Sequence, residues 1–463
     1  MTAPTHPPAP PLAGGHGGAD ALRPLLDTVL AALRTGAAAR GGPLPAGGPH
    51  TTAARVRTAL GDILPAHGTG DHEALTTLVH TLTAGAADPA DPLCAAHLHC
   101  PPLAVAAAAD LAVSALNPSL DSWDQAPAAS AVEERLTATL AAELYPTPRP
   151  DALLTTGGTE ANQLALLLAR ERHGPHLTVI HGANAHHSVP RAAWLLGLPP
   201  TLTLPTPTGT LDPATLDAAL ARTPGPVLVT ATAGTTDAGL IDPLPALADL
   251  CDQHGAELHI DAAYGGTLTF SPRHRPQLTG LDRAHSLTLD LHKLGWQPVA
   301  AGLLAVPDTH LLAPLAHQAD YLNAPDDTRA GLPDLLGRSL RTTRRPDAVK
   351  IAATLRSLGR DGLAHLIDRT CATAQHLADL LDAHPGFELH ARPTITTVLF
   401  RPTPADDDDI ATLRRTLLHD GTAVLGRATA DGRLWLKATL LNPHTTAGDL
   451  HTLITHLEGR THR

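Results

Sequence analysis

The sequence ELHIDAAYGG at residues 257–266 gives the clearest indication of the fold. It starts with an apolar run, reaches a carboxylate at Asp261 and continues with small residues. Similar short runs, separated by helical segments, are LTVI at 177–180, TLTL at 201–204, VLVTATA at 227–233, SLTLDL at 286–291 and GLLAV at 302–306. This alternation predicts an α/β fold in which helices cover both faces of a mainly parallel sheet and a ligand binds at the carboxyl ends of the strands.

The rest of the chain predicts additional parts around this sheet. The Pro/Gly-rich start is expected to be disordered, and the region after residue 345 contains a long helical stretch followed by two apolar runs, TTVLF at 396–400 and LWLKATLL at 434–441. We therefore predict a disordered tail at 1–18, an N-terminal helical segment at 19–100, a large domain at 101–345 and a small C-terminal α+β domain at 346–463.

Composition narrows the class of protein and its partners. The 463 residues are 43% hydrophobic and 17% charged, as in globular proteins, and the net charge is −12. The sequence has no run of basic and aromatic residues, so nucleic-acid binding is not expected. It shows neither a signal-peptide pattern nor a long apolar run, so we expect neither secretion nor a membrane span. The four cysteines form no CxxC pair and are expected to be reduced thiols. We expect a cytoplasmic protein whose partner is a small molecule.

A metal site is not expected, although the chain has 29 histidines. The fragment HLHC at 97–100 has no second pair at ligand spacing. The aspartates at 406–409 open a predicted helix, where carboxylates complement the helix dipole, so we interpret them as a helix start.

The motif TTGGTEAN at 155–162 ends an extended segment and leads into the helix NQLALLLAR. Its glycines let a ligand approach the backbone, and the free N–H groups of the first helical turn, together with Thr159, are suited to a phosphate. A glycine turn before a helix can also be simple chain geometry. The motif has neither GxGxxG nor GK[ST], which disfavours dinucleotides and nucleoside triphosphates.

Only three of the 33 basic residues are lysines. A lysine amine can attack a carbonyl and an arginine cannot, so the lysines mark positions where an amine could be needed. Lys293 lies in LDLHK at the end of a predicted strand, whereas Lys350 and Lys437 are assigned structural roles in a helix and in a strand of the small domain. Asp261 could simply cap the turn that comes after it. Together, however, a phosphate site, a carboxylate and an amine at one sheet edge match the needs of pyridoxal 5′-phosphate.

Five further motifs occur along the chain, namely HLHCPP at 97–102, LNPSLDSWDQAP at 116–127, TAGTTDAGLIDPL at 232–244, RTTRRPDAVK at 341–350 and LKATLLNP at 436–443. With these motifs the chain resembles the pyridoxal-phosphate-dependent group II amino acid decarboxylases from about residue 75 to 455. The similarity is greatest to the bacterial branch that acts on L-2,4-diaminobutyrate and, in siderophore pathways, on lysine. The resemblance implies a fold-type I, aspartate aminotransferase-like architecture. It also implies a homodimer with shared active sites, in which the N-terminal segment packs on the partner.

The resemblance further implies roles for individual residues. Lys293 would form a Schiff base with the cofactor, Asp261 would pair with the pyridinium nitrogen, and His186 would stack on the ring and help to position the substrate carboxylate. Either His186 or Lys293 would protonate Cα. The other cofactor-binding residues implied are Gly158 and Thr159 at the phosphate, His292 beside it, Thr236 near the ring hydroxyl and Ala263 under the ring.

Two positions depart from the family pattern. His187 stands where the similar branch usually has an aromatic residue. It could contact a substrate or face solvent, and we interpret it as facing solvent. Leu335 stands where relatives with aromatic substrates have a tyrosine, which argues against an aromatic substrate. A diamino acid needs oxygen ligands for its distal amine, and the DSWDQ stretch offers candidates that could equally cap a helix. These candidates are Asp121, Ser122, Asp124 and Gln125.

The expected function is that of a carboxy-lyase that converts a basic L-amino acid, 2,4-diaminobutyrate or lysine, into its amine and CO2, in siderophore or polyamine biosynthesis. The alternatives are an aromatic or acidic substrate, oxygen-dependent aldehyde formation with the same cofactor, and a non-catalytic scaffold. The presence of both Lys293 and Asp261 argues against the scaffold.

Overall fold

The fold is seen in a computed structural model that describes residues 9–317, 319 and 321–461. The strands are β1 (Cys94–Ala95), β2 (Asp151–Thr155), β3 (Thr178–Gly182), β4 (Leu202–Leu204), β5 (Val227–Thr232), β6 (Glu257–Asp261), β7 (Ser286–Asp290), β8 (Gly302–Val306), β9 (Phe387–Leu389), β10 (Thr397–Pro402), β11 (Val424–Ala430) and β12 (Arg433–Thr439). The helices are α1 (Gly18–Arg40), α2 (Gly48–Leu60), α3 (Asp71–Ala84), α4 (Ala104–Leu116), α5 (Pro127–Leu144), α6 (Gly158–His173), α7 (Ser188–Leu195), α8 (Pro213–Leu220), α9 (Leu244–His254), α10 (Pro325–Arg329), α11 (Ala348–Asp382), α12 (Asp407–Asp420) and α13 (Ala447–Thr461). Residues 1–8 of the predicted tail lie outside the described residues, and Gly18 already begins α1.

Seven strands form the central sheet, in the order β2-β8-β7-β6-β5-β3-β4. The strands from β7 to β4 pair in parallel, while β8 is antiparallel to both β7 and β2. All residues of β5, β7 and β8 are buried, because helices pack against the sheet. Helices α5 and α9 share one hydrophobic cluster with the strands, and α6 and α7 contribute to other clusters. The predicted α/β fold with a mainly parallel sheet is confirmed.

The carboxyl ends of three neighbouring strands carry polar side chains. They are Thr232 on β5, Asp261 on β6 and Asp290 on β7. The chain that leaves β2 turns at Gly157 into α6 beside them. The fold thus gathers the residues singled out in the sequence at one edge of the sheet, as expected for a parallel sheet with a ligand site.

A second sheet of five strands, in the order β1-β11-β12-β10-β9, contains the apolar runs predicted for the small domain. Its core includes Val398, Phe400 and Leu436, which pack against α11, α12 and α13. The helix α12 begins with a capping box between Asp406 and Asp409, so the interpretation of the aspartate run as a helix start is confirmed. The short strand β1 pairs with β11 and connects the N-terminal segment to this sheet. The exact domain boundaries remain a prediction.

Two kinds of feature are not found among the described residues. No helix there is long and apolar enough to cross a membrane, and no group of three or more His, Cys, Asp or Glu side chains could hold a metal ion. The four cysteines are free, and burial raises the pKa of the Cys100, Cys251 and Cys371 thiols to about 12. These three thiols are therefore poor nucleophiles at neutral pH.

Candidate active site

A cavity of about 310 Å³ opens at the carboxyl ends of the central strands. The structure brings all eight predicted cofactor-binding residues into its wall, namely Gly158, Thr159, His186, Thr236, Asp261, Ala263, His292 and Lys293. The first two begin α6, Asp261 ends β6, and His292 and Lys293 come directly after β7. Residues that are up to 135 positions apart in sequence thus face one space because the parallel strands end together.

Lys293 reaches this space from the turn after β7. Its Nζ lies 3.1 Å from Oδ2 of Asp290, and the Asp290 side chain is only 2% exposed. The other carboxylate oxygen, Oδ1, is buried and has no hydrogen-bond partner among the described residues. His292 Nδ1 accepts a hydrogen bond from the Ala301 N–H, which places the ring proton on Nε2, 3.5 Å from Asp290. Asp290 therefore holds the amine of Lys293 in the cavity.

Asp261 presents a fixed carboxylate to the same cavity. It is 5% exposed, and its two oxygens accept hydrogen bonds from Asn162 Nδ2, at 2.8 Å, and from the Ala263 N–H, at 3.1 Å. Both partners are neutral donors, so the negative charge has no cationic partner within these hydrogen bonds. A cation that enters the cavity can therefore pair with Asp261.

His186 lies in the loop before α7, and its Nδ1 is 2.8 Å from Ser188 Oγ. Burial lowers the pKa of His186 below its usual value, while Asp261 opposes this effect. The exposed ring of His187 lies against it, with 4.1 Å between the ring centroids. The interpretation of His187 as solvent-facing agrees with its exposure.

The glycine turn before α6 is tightly packed. Gly157 has φ +154°, and a Cβ atom there would lie 2.9 Å from Cε1 of His292. A Cβ atom on Gly158 would lie 3.0 Å from the Cβ of Ala263. Side chains are therefore excluded where the first N–H groups of α6 face the cavity, and these groups lack partners within the helix. This cradle, the Asp261 carboxylate and the Lys293 amine fit the phosphate, ring nitrogen and aldehyde of pyridoxal 5′-phosphate.

Comparison with known proteins agrees with this chemistry. Residues 72–403 match the family model described as the pyridoxal-dependent decarboxylase conserved domain. The chain belongs to this family.

Two relatives of this decarboxylase are the L-2,4-diaminobutyrate decarboxylases of Rhizobium meliloti (strain 1021) and Acinetobacter baumannii. The first is 42% identical over 85% of this chain and 82% of the relative, and the second is 33% identical over 78% of each. A solved structure, the glutamate decarboxylase domain of diaminobutyrate-pyruvate transaminase and L-2,4-diaminobutyrate decarboxylase from Vibrio parahaemolyticus, has a TM-score of 0.86 at 30% identity and covers 97% of both chains. The predicted family, enzyme class and cofactor are confirmed.

The structure does not bring the predicted substrate residues into the cavity wall of the described chain. Asp121 hydrogen-bonds to Ser119 and Thr343, and Ser122 bonds to both Asp124 and Gln125. Leu335 is also outside this wall and packs against Leu120, Ala126 and Ala129. The polar DSWDQ side chains thus bond to one another, to Ser119 and to Thr343, and their role toward a substrate stays a prediction.

Three residues with close contacts at the site were missed in the sequence. Asp290 ends β7 as Asp261 ends β6, so the same strand-end reasoning could have found it. Asn162 lies within the quoted motif TTGGTEAN but projects from α6 toward the back of Asp261. Ser188 is buried beside His186, and a polar side chain at that position gives no signal in one sequence.

Proposed function

We propose that this pyridoxal-phosphate-dependent decarboxylase acts on L-2,4-diaminobutyrate and releases CO2 and 1,3-diaminopropane. The 42% identity to the Rhizobium meliloti enzyme over most of both chains is the observation that supports this substrate. Lysine, which has a longer side chain with the same terminal amine, is the second basic substrate to test. Leu335 in place of the tyrosine expected for aromatic substrates also argues against an aromatic amino acid.

We assign the chemical roles to the residues that line the cavity. When bound, pyridoxal 5′-phosphate supplies a carbonyl for an amine and a ring that accepts electrons from Cα. Lys293 offers the amine, and the carboxylate of Asp290 holds it in position, with 3.1 Å between the charged atoms. Asp261 supplies the negative charge for the ring nitrogen. The N–H groups at Gly158 and Thr159 receive the phosphate.

The remaining roles concern the substrate and the two faces of the ring. His186 lies in the cavity wall, and its Nδ1 contacts Ser188 Oγ. Its Nε2 does not take part in that contact and can hold the substrate carboxylate. Ala263 would provide a small surface for the ring, and Thr236 would be available to the ring hydroxyl, because both residues line the cavity. A carboxylate that stands perpendicular to the ring has its bond to Cα aligned with the π system, which favours loss of CO2.

We also propose a homodimer. The two acidic side chains that line the cavity, Asp261 and Asp290, are assigned to the cofactor and Lys293, so the described wall offers the distal substrate amine no further carboxylate. A second copy could complete the site. Large apolar side chains are exposed on α1, α3 and α4, as expected for a surface that another copy covers, and they include Leu30, Leu33, Leu78, Leu82, Leu111 and Leu116. Light scattering of the purified protein tests this, and an active monomer would contradict it.

We further propose a cytoplasmic location, because four free thiols suit a reducing compartment. Fractionation of the source cells tests it, and recovery of the protein outside the cytoplasm would contradict it.

The substrate is tested by supplying the reconstituted enzyme with a panel of 2,4-diaminobutyrate, lysine, glutamate and tryptophan while CO2, amine and oxygen are measured. We expect the highest kcat/KM with 2,4-diaminobutyrate, equal amounts of CO2 and 1,3-diaminopropane, and no oxygen consumption. Preference for glutamate or tryptophan would refute the substrate, and oxygen uptake with a carbonyl product would indicate aldehyde formation instead.

A further inference from the structure

A buried hydrogen-bond network lies behind the cavity and is centred on Asn162. This side chain has no exposed surface and uses its whole hydrogen-bonding capacity. Its Nδ2 donates to Asp261 Oδ2 and to Ser188 Oγ, both at 2.8 Å. Its Oδ1 accepts from Thr288 Oγ1 at 2.7 Å and lies 3.0 Å from His259 Nε2. One amide thus connects the carboxylate in the cavity with the helix that comes after His186.

The orientation of this amide is determined by its neighbours. A flipped amide would place its oxygen against the Asp261 carboxylate, which can only accept, so Nδ2 must face Asp261. His259 Nε2 must then donate to Oδ1 of Asn162, and its Nδ1 accepts from Ser286 Oγ at 2.9 Å. Burial lowers the pKa of His259 to about 4, so the ring is neutral near pH 7 and suits this pattern. The network therefore has one direction of donation.

This direction carries through Ser188 to His186. Because Ser188 Oγ accepts a hydrogen from Asn162, its own hydrogen is free to be donated to His186 Nδ1 at 2.8 Å. The Ser188 N–H also faces Nδ1, at 3.3 Å. With two donors directed at Nδ1, the neutral imidazole carries its proton on Nε2. A protonated Nδ1 would leave the Ser188 hydroxyl hydrogen without an acceptor in this arrangement.

We propose that Asn162 is a positioning residue that holds the Asp261 carboxylate and, through Ser188, holds His186 as the neutral tautomer with its proton on Nε2. This inference rests on the site assigned under the proposed function. A neutral Nε2–H can orient the substrate carboxylate by one hydrogen bond. An imidazolium would stabilise the carboxylate charge, which disappears as CO2 leaves, and would thus favour the bound substrate over the transition state.

The titratable groups around His186 shift its pKa in both directions. Asp261 and Asp290 favour its protonated form, while His187 and Lys293 oppose it, and burial has the largest effect and opposes protonation. The hydroxyl of Ser188 adds to the opposition because it donates to Nδ1. Removal of that hydroxyl should therefore raise the pH at which His186 gains a second proton.

The test uses Ser188→Ala, which removes the hydroxyl and leaves the fold's backbone contacts in place. The matched control is Ser130→Ala, a buried serine outside the cavity wall whose hydroxyl donates to the Pro127 carbonyl. The cofactor-loaded proteins are labelled with ring ¹⁵N-histidine, and the His186 resonances are identified by their loss in His186→Gln. Nitrogen chemical shifts then report directly which ring nitrogen carries the proton.

We expect an Nε2–H tautomer in the wild type and in Ser130→Ala, and a mixture of tautomers in Ser188→Ala. We also expect the acidic limb of the kcat profile to move up by roughly 0.5 to 1 pH unit in Ser188→Ala alone, the pKa equivalent of one hydrogen bond. An Nδ1–H tautomer in the wild type would overturn the proposal. This measurement is made on the wild type and holds even if Ser188→Ala does not fold. An unchanged tautomer and an unchanged acidic limb in Ser188→Ala would also overturn the proposal. The NMR measurement of the tautomer does not require enzyme activity. Failure to decarboxylate any amino acid would therefore refute the proposed function without deciding the tautomer.

Discussion

Asp261→Asn is the substitution that examines the proposed electrostatic role most closely. The change keeps the shape of the side chain and removes its charge. In the wild type both oxygens accept hydrogen bonds, one from Asn162 and one from the Ala263 N–H. An asparagine can accept only one of these, so its amino group must face the other donor. The variant therefore loses the charge that faces the cavity and also part of its own support.

The expected loss of activity can be calculated from Coulomb's law. Two opposite charges about 4 Å apart, at an effective dielectric constant near 20, attract each other by roughly 4 kcal/mol. This attraction favours the protonated cofactor ring, which is the form that accepts electrons. If it is lost in the transition state, kcat falls about a thousandfold. The mismatched donor should in addition lower the free energy of unfolding by about 1 to 3 kcal/mol.

The assay is CO2 release from 2,4-diaminobutyrate at saturating cofactor, together with urea unfolding. Asp242→Asn is the matched control, because Asp242 is another buried carboxylate that accepts from an asparagine, Asn184, as well as from two backbone N–H groups. We expect both variants to lose stability and only Asp261→Asn to lose kcat by orders of magnitude. A kcat for Asp261→Asn within tenfold of wild type would refute the electrostatic role.

Three further predictions concern the amine, the buried imidazole and a helix start. Lys293→Arg keeps the positive charge but offers no amine for a Schiff base, so it should lose the visible Schiff-base band and all CO2 release, whereas Lys437→Arg should retain both. A Schiff-base band in Lys293→Arg would contradict the assignment. The pKa of His259 is about 4 in the folded protein and near 6.5 when unfolded, so its share of the free energy of unfolding should fall by up to about 3 kcal/mol as the pH drops from 6.5 to 4. His259→Gln should remove this share of the pH dependence in urea unfolding. Asp406→Ala should lower stability by about 1 kcal/mol because it removes the capping box of α12, and an equal effect of Asp408→Ala in the same turn would contradict this reason.

The strand ends of the large sheet could be predicted because burial leaves a direct mark on the sequence. The runs at 227–233, 257–263 and 286–291 are largely apolar, since helices cover both faces of the sheet. In a parallel sheet, the residues at the carboxyl end of each run lie near the ligand. Asp261 and Lys293 were therefore placed by the same rule, and Asp290 obeys it too.

The support behind these residues could not be predicted, because it depends on contacts between distant parts of the chain. Asn162 and Asp261 are 99 residues apart, and only the packing of α6 against β6 and β7 brings them together. The DSWDQ side chains show the opposite case. Their composition suits a diamino acid, but in the described chain they bond to one another, to Ser119 and to Thr343. Polar residue types alone do not reveal which way a side chain points.

Reduction of the cofactor-loaded protein with borohydride, followed by peptide mass spectrometry, shows directly which residue holds the cofactor. The chain has only three lysines, at 293, 350 and 437, so the labelled peptide identifies the residue without ambiguity. We predict one pyridoxyl group per chain, on Lys293. A label on Lys350 or Lys437, with Lys293 unmodified, would show that Lys293 does not hold the cofactor.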